Sequence, residues 1–122
     1  MDARTKRAAK VDTNQSEIVN LMRQMGMEVE ILGMPSDLLV GKNLITVVAE
    51  VKNPKQPPSK RRLTDQEYEF YRKWHKKALY CVIETDADVV LLNRALNDGL
   101  QATKKFCNEN MEAHFETCYA TL

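Results

Sequence analysis

The sequence predicts an α/β fold around a mixed central sheet flanked by helices, in the order α-β-β-β-α-β-α followed by a C-terminal extension. Three observations carry this expectation. Apolar residues recur at helical spacing in three stretches, short runs between them have the alternation or continuous apolarity of strands, and glycine and proline punctuate the boundaries. A chain of 122 residues suits one domain, 1–122, that buries about two thirds of its unfolded surface.

Residues 1–12 are polar and charged, a loose basic arm carrying Arg4, Lys6, Arg7 and Lys10. From Asn14, the spacing of Ile18, Leu21, Met22 and Met25 predicts an amphipathic helix, with Asn14 or Ser16 as its cap and Gly26 as its stop. Met27, Val29 and Ile31 then alternate with Glu28 and Glu30, the pattern of a half-buried strand near a sheet edge. Gly33-Met34-Pro35 ends it. Strands follow over 36–41 and 44–52, joined by a tight turn at Gly41-Lys42-Asn43. Ile45, Val47, Val48 and Val51 are apolar on both faces, which fits a central strand. Pro54, Pro57 and Pro58 force a loop over 53–59.

Thr64-Asp65-Gln66-Glu67 reads as a capping box, with the hydroxyl at the N-cap and the glutamate three residues on. The helix it opens runs to about Lys77 and turns Phe70, Trp74 and Ala78 inward. Leu79 to Glu84 is a short buried strand. Thr85 or Asp86 caps another helix, with Val89, Leu92 and Leu96 inward, and Asp98-Gly99 interrupts it. The extension, 98–122, is weakly helical. Its Phe106, Met111, Phe115 and Tyr119 are candidates for a partner or dimer contact.

Lys and Arg number 18 against 17 Asp and Glu, a formal net charge of +1, so overall charge selects no partner. The distribution is uneven. Basic residues gather at the N-terminus and over Lys52, Lys55, Lys60, Arg61 and Arg62, whereas Glu109, Glu112 and Glu116 lie beyond the last lysine, Lys105. This asymmetry fits either a polyanion-facing side or an ordinary solvated surface. No segment reaches the ~18 apolar residues of a membrane span, and no apolar run follows the basic start as a secretory signal requires. Cys81, Cys107 and Cys118 form no CxxC pair, and His75 and His114 stand at no zinc spacing. Reduced thiols in a cytoplasmic protein are expected.

The chemistry concentrates in Asp37 and Glu50-Val51-Lys52. A hairpin brings Asp37 near Glu50, and side chains two apart on a strand share a face, so Glu50 and Lys52 stand side by side. Val48 and Val51 flank them, and charge on so apolar a strand requires pairing or a metal. Two carboxylates, with the Val51 carbonyl as a third oxygen, suit Mg2+ or Mn2+. Lys52 would orient or deprotonate a water, or neutralise charge in the transition state. The plainer alternatives are an ion pair at a strand end for Glu50 and Lys52, and a turn residue for Asp37.

Gly33-Met34-Pro35-Ser36-Asp37-Leu38-Leu39-Val40, Glu50-Val51-Lys52 and Leu63-Thr64-Asp65-Gln66 together resemble the PD-(D/E)xK nuclease superfamily. Within it they are most similar to small phage-type nucleases grouped with VRR-NUC domains and Holliday-junction resolvases. The likeness spans roughly residues 14–90. It implies a restriction-endonuclease-like core, metal ligands at Asp37 and Glu50, a catalytic lysine at Lys52, and supporting roles for Glu17 in the first helix and Gln66 in the second. It further implies phosphate contacts from Lys55, Lys60, Arg61, Arg62, Arg72 and Lys73, with Lys76 and Lys77 beside them. The implied activity is a Mg2+- or Mn2+-dependent DNA endonuclease, structure-selective on branched DNA and homodimeric, since a resolvase cuts two strands symmetrically. A nuclease on flaps, nicks, linear DNA or RNA, and a non-catalytic DNA-binding module, are the alternatives. One departure stands out: the family places proline directly before the aspartate, and here Ser36 intervenes. A one-residue shift on a strand reverses the face, so Asp37 must precede regular pairing, or a bulge must absorb Ser36.

Overall fold

A four-stranded sheet orders the chain. The structure is a computed structural model and describes residues 14–119; the basic arm expected over 1–12 lies outside them. The elements are α1 (Gln15–Gln24), β1 (Glu28–Ile31), β2 (Leu38–Lys42), β3 (Ile45–Val51), a 3-10 turn at Pro58–Lys60, α2 (Asp65–Trp74), β4 (Leu79–Ile83), α3 (Asp86–Asp98) and α4 (Leu100–Tyr119). The strands lie in the order β1-β2-β3-β4. The first two pairings are antiparallel and the last is parallel, so the sheet is mixed, as expected. The parallel pair needs a crossover connection, which α2 and the loop before it supply. Among the described residues no helix is long and apolar enough to cross a membrane.

Strand periodicity divides the core in two. Val47, Ala49 and Val51 of β3 share a face with Leu38 and Val40 of β2 and with Cys81 and Ile83 of β4. This face packs against Ile18, Val19 and Met22 of α1 and Val89, Leu92 and Leu96 of α3. The opposite face carries Val48, Tyr80 and Val82, which meet Phe70 and Tyr71 of α2 and Met111 and Phe115 of α4.

Several local expectations are corrected. Asn14 does stand at the start of α1, but its side chain makes no cap. It donates instead to the carbonyls of Lys52 and Glu84, at 3.1 and 3.0 Å, and clamps the diverging ends of β3 and β4. The β2–β3 hairpin turns on Asn43-Leu44, not on Gly41-Lys42-Asn43, because Lys42 pairs with Ile45. Both turn residues are left-handed, with φ of 56° and 68°, as the twist of a two-residue hairpin demands. Asparagine accepts this readily and leucine seldom does, yet Leu44 stands fully in solvent. Ile31 is exposed on the edge strand rather than buried with Met27 and Val29. Trp74, expected inside, is 45% exposed.

The largest correction concerns the C-terminus. Residues 100–119 are one continuous helix that straddles the edge of β4. Cys107 enters one core and Met111 the other. Between them Asn110 treats the strand edge as a neighbouring strand would: its Nδ2 donates to the Val82 carbonyl at 2.8 Å, and its Oδ1 accepts from the Val82 N–H at 2.7 Å. An edge left open invites further pairing, and this amide closes it. Asn110→Ala is expected to leave both backbone groups of the buried Val82 unsatisfied, at a cost of about 2–4 kcal/mol. Chemical denaturation measures this; a midpoint equal to the wild type's would contradict the role assigned to Asn110.

Candidate metal centre

The site forms where β2 begins and β3 ends. Leu38 is the first residue of β2 to pair, opposite Ala49. Asp37 therefore precedes the regular ladder, which is how the chain accommodates Ser36. The Asp37 carbonyl accepts from Leu32 N–H at 2.8 Å, and this bond holds the loop. Its carboxylate Oδ2 accepts from the Val51 N–H at 2.8 Å, and its own N–H donates to Glu50 Oε1 at 3.3 Å. Ser36 is buried, and its hydroxyl donates to Glu50 Oε2. The same oxygen accepts from the Tyr80 hydroxyl at 3.0 Å.

Glu50 has no exposed surface. Lys52, two residues on and on the same face, is also buried, and its Nζ donates to Glu67 Oε1 at 2.8 Å. Glu67 reaches this position because it completes a capping box. Thr64 N–H donates to Glu67 Oε1 at 2.8 Å, while the Thr64 hydroxyl accepts from the Glu67 N–H. The cap fixes the first turn of α2, and that turn places a third carboxylate over the end of β3. Oxygens of Asp37, Glu50 and Glu67 all lie within 4.8 Å of one another. Two oxygens on opposite sides of Mg2+ stand about 4.2 Å apart, so a small side-chain adjustment closes the cluster on an ion. An all-oxygen set selects a hard divalent cation.

The electrostatics fit the same reading. Burial raises the Glu50 carboxyl, the negative charges of Glu67 and Asp37 raise it further, and a hydrogen bond to Asp37 adds to this. Against the Ser36 hydroxyl, which favours ionisation, they push it up to about 9. Asp37 is raised too, mainly by burial, although the Val51 N–H opposes the shift. Burial disfavours the charged form of Lys52, but the hydrogen bond and charge of Glu67, helped by Glu50 and Asp37, outweigh it and raise its pKa. Lys52 is therefore a cation at neutral pH. Burial and the charge of Glu50 hold Tyr80 as a neutral hydroxyl. Without a cation, three acids face one lysine, and Glu50 keeps its proton in compensation.

The structure thus brings together Asp37, Glu50 and Lys52, and does not bring Glu17 or Gln66 into the cluster. Glu17 is exposed in the first turn of α1. Gln66 is also exposed, and the residue of its turn that meets the other acids is its neighbour Glu67. Val51 contributes its N–H to Asp37. Of the basic residues, Lys55, Lys60 and Lys73 are exposed, and Arg72 pairs with Glu69 at 3.0 Å on the helix surface. Arg61 and Arg62 are engaged within the fold. Arg61 forms an ion pair with Glu84 at 3.0 Å. Arg62 donates to the Cys118 carbonyl at 2.6 Å and covers the Tyr119 ring.

Sequence reasoning missed Glu67 and Tyr80. Glu67 was legible as a cap, and its second role follows only from where the helix begins. Tyr80 shares a face with Glu50 only through the parallel β3–β4 register, which pairs Val48 with Tyr80 and Glu50 with Val82. In comparisons with protein-family models, curated proteins and solved structures, the chain matches none.

The protonation of Glu50 and the place of Glu67 have measurable consequences. Between the ordinary value of 4.5 and about 9, the metal-free native state binds a proton at Glu50 that the unfolded chain releases. Stability therefore falls as pH rises through this window, and Glu50→Gln should flatten the fall. Thermal melts in chelator across that range test this; parallel profiles for the two proteins would refute it. A metal must expel the same proton, so its apparent affinity should climb by up to about tenfold per pH unit toward the upper limit. Glu67→Gln keeps a side chain competent for the capping box but removes a ligand charge. It should weaken Mn2+ binding at least about tenfold, measured by calorimetry on protein shown by circular dichroism to be folded, and it should lower the melting temperature because Lys52 loses its partner; unchanged affinity would remove Glu67 from the ligand set.

Proposed function

We propose that this protein is a divalent-metal-dependent nuclease that hydrolyses phosphodiester bonds in DNA. The observation that carries the reading is the convergence of Asp37, Glu50 and Glu67 at one strand end, with buried, protonated Lys52 in the same constellation. A cation held by these oxygens supplies Lewis-acid activation of the phosphate and of an attacking water.

The residues divide the remaining work. Asp37 is fixed by the Val51 N–H, so one oxygen is committed to the strand and its carboxylate cannot rotate freely. Ser36 and Tyr80 hold Glu50 in a single orientation through its Oε2. Such preorganised surroundings stabilise developing charge without reorganising during the reaction. Lys52, held as a cation, neutralises charge on the phosphate oxygens and orients water, and its raised pKa argues against a role as the base that deprotonates it. The order of the elements and the single parallel pair at β3–β4 support a restriction-endonuclease-like arrangement. With the family resemblance, they favour branched DNA as substrate and a two-fold dimer as the active species.

Purified protein is expected to cut a synthetic four-way junction with Mg2+ or Mn2+ and to leave it intact in chelator. Lys52→Ala and Glu50→Ala should each lower the rate by about a hundredfold or more. Undiminished cleavage by both variants would overturn the proposal. A panel of flap, nicked, linear and RNA substrates assigns the preference.

A further inference from the structure

Among the described residues, the face of the sheet that carries Glu50 and Lys52 is not covered along its whole length. At the end away from the cluster, a groove of about 470 Å³ runs between α2 and the outer faces of β2 and β3. Its volume lies in the range of ligand sites, about 300–1,000 Å³. Leu39, Leu44, Val48, Phe70, Trp74 and Leu100 line it, with Lys77 at the rim. Leu39 and Val48 are register partners, and Tyr80 pairs with Val48 in turn. Tyr80 lies between this floor and the cluster, buried under Phe70 and Tyr71, and its hydroxyl donates to Glu50.

Trp74 is the residue that gives this groove its chemistry. Its ring stacks on Phe70, with centroids 5.9 Å apart and planes 29° from parallel. One face is thus supported, and with 45% of the residue exposed the side chain remains open to a planar ligand. Around it α2 and its continuation read Arg72-Lys73-Trp74-His75-Lys76-Lys77, all exposed. An aromatic platform interleaved with cations is the arrangement that binds single-stranded nucleic acid: bases stack and the cations follow the phosphates. The strained, solvent-exposed Leu44 closes the far end. Glu67 and Trp74 are seven residues apart on one helix, a rise of about 10 Å, so a strand lying in the groove reaches the carboxylate cluster within a few nucleotides. A second copy of this chain fits less well. A two-fold contact sets a patch against itself, which would oppose these lysines to each other, and lysine is depleted from protein interfaces.

We propose that this groove binds unpaired bases of a single-stranded DNA segment next to the scissile phosphate, with Trp74 as the stacking platform and Lys77 at a backbone phosphate. The inference rests on the reading of the cluster as a nuclease site and narrows the branched substrate to one that presents unpaired bases at the branch.

Trp74 is the only tryptophan, so its fluorescence reports the groove directly. In chelator, where hydrolysis is blocked, an oligothymidylate of about sixteen nucleotides should quench it saturably, and a blunt duplex of similar charge should not. By anisotropy of a labelled oligonucleotide, Trp74→Ala should bind about tenfold more weakly or worse. Trp74→Phe should recover most of the affinity, and Lys77→Gln should reduce the log–log salt slope by about 0.7. Circular dichroism checks that each variant is folded. Equal affinity of Trp74→Ala and wild type would overturn the groove, as would binding without quenching. So would a dimer seen by sedimentation without DNA and dissociated by Trp74→Arg. Cleavage of a junction without quenching refutes the groove alone. Quenching without metal-dependent cleavage of any substrate refutes the nuclease reading and leaves the groove as a single-strand binding site.

Discussion

Glu50 is a carboxyl with no exposed surface, at the end of a strand whose other residues, apart from Thr46, are valine, alanine and isoleucine. Removing such a group from water costs several kcal/mol unless its surroundings replace the lost hydration. Three separate parts of the chain act on it: the Ser36 hydroxyl and Asp37 N–H from the loop before β2 and the Tyr80 hydroxyl from β4 supply hydrogen bonds, and the negative charge of Glu67 from α2 favours the protonated form. Each imposes a condition on the fold. The loop must deliver two consecutive polar groups before pairing starts at Leu38. The β3–β4 register must be the observed one, because a slip of one residue would send Tyr80 to the opposite face. The first turn of α2 must begin at Thr64, so that Glu67 is its third residue.

Glu67 joins the cluster to the rest of the molecule. It closes the capping box, pairs with Lys52, and raises both the Lys52 and the Glu50 pKa. A ligand that draws on Glu67 therefore acts on the position of α2. That helix packs on the sheet through Phe70 and Tyr71, and its other end carries Trp74. One element thus spans from the carboxylates to the exposed aromatic groove.

The sequence disclosed what local chemistry encodes. The Thr64 cap, the shared face of Glu50 and Lys52, the central character of β3 and the interruption at Gly99 all follow from spacing and residue type, and the structure has each of them. What it concealed depends on tertiary context. The apolar periodicity of 100–119 is weak because its one buried stripe, which serves both cores, is filled by Thr103, Cys107, Met111, His114 and Cys118 rather than by large aliphatic residues. Trp74 sat at helical spacing from Phe70 and read as core, but among the described residues no element covers the end of the sheet where it emerges. Gln66 and Glu67 are adjacent, and only the angle at which α2 leaves its cap decides which of them meets the site.

Charge arithmetic ties these features to the proposed chemistry. Asp37, Glu50 and Glu67 with Lys52 sum to −2 when all are ionised, which a buried cluster does not sustain; protonating Glu50 leaves −1. Exchanging that proton for a divalent cation brings the sum to zero with every carboxylate ionised. A proton and a divalent cation would thus be alternative solutions to one electrostatic problem. On the proposed function, a phosphodiester entering a metal-loaded site would restore a single negative charge, which the protonated Lys52 is placed to share. The phosphates on either side of it bring further charge that the cluster has no means to balance. In this structure the exposed cations available for them are Lys55 and Lys60 on the loop above the site and Lys73, Lys76 and Lys77 on α2 and its continuation, whereas Arg61 and Arg62 are committed to Glu84 and α4. A strand crossing the site between these two groups would have its reacting phosphate at Lys52 and its flanks neutralised on both sides.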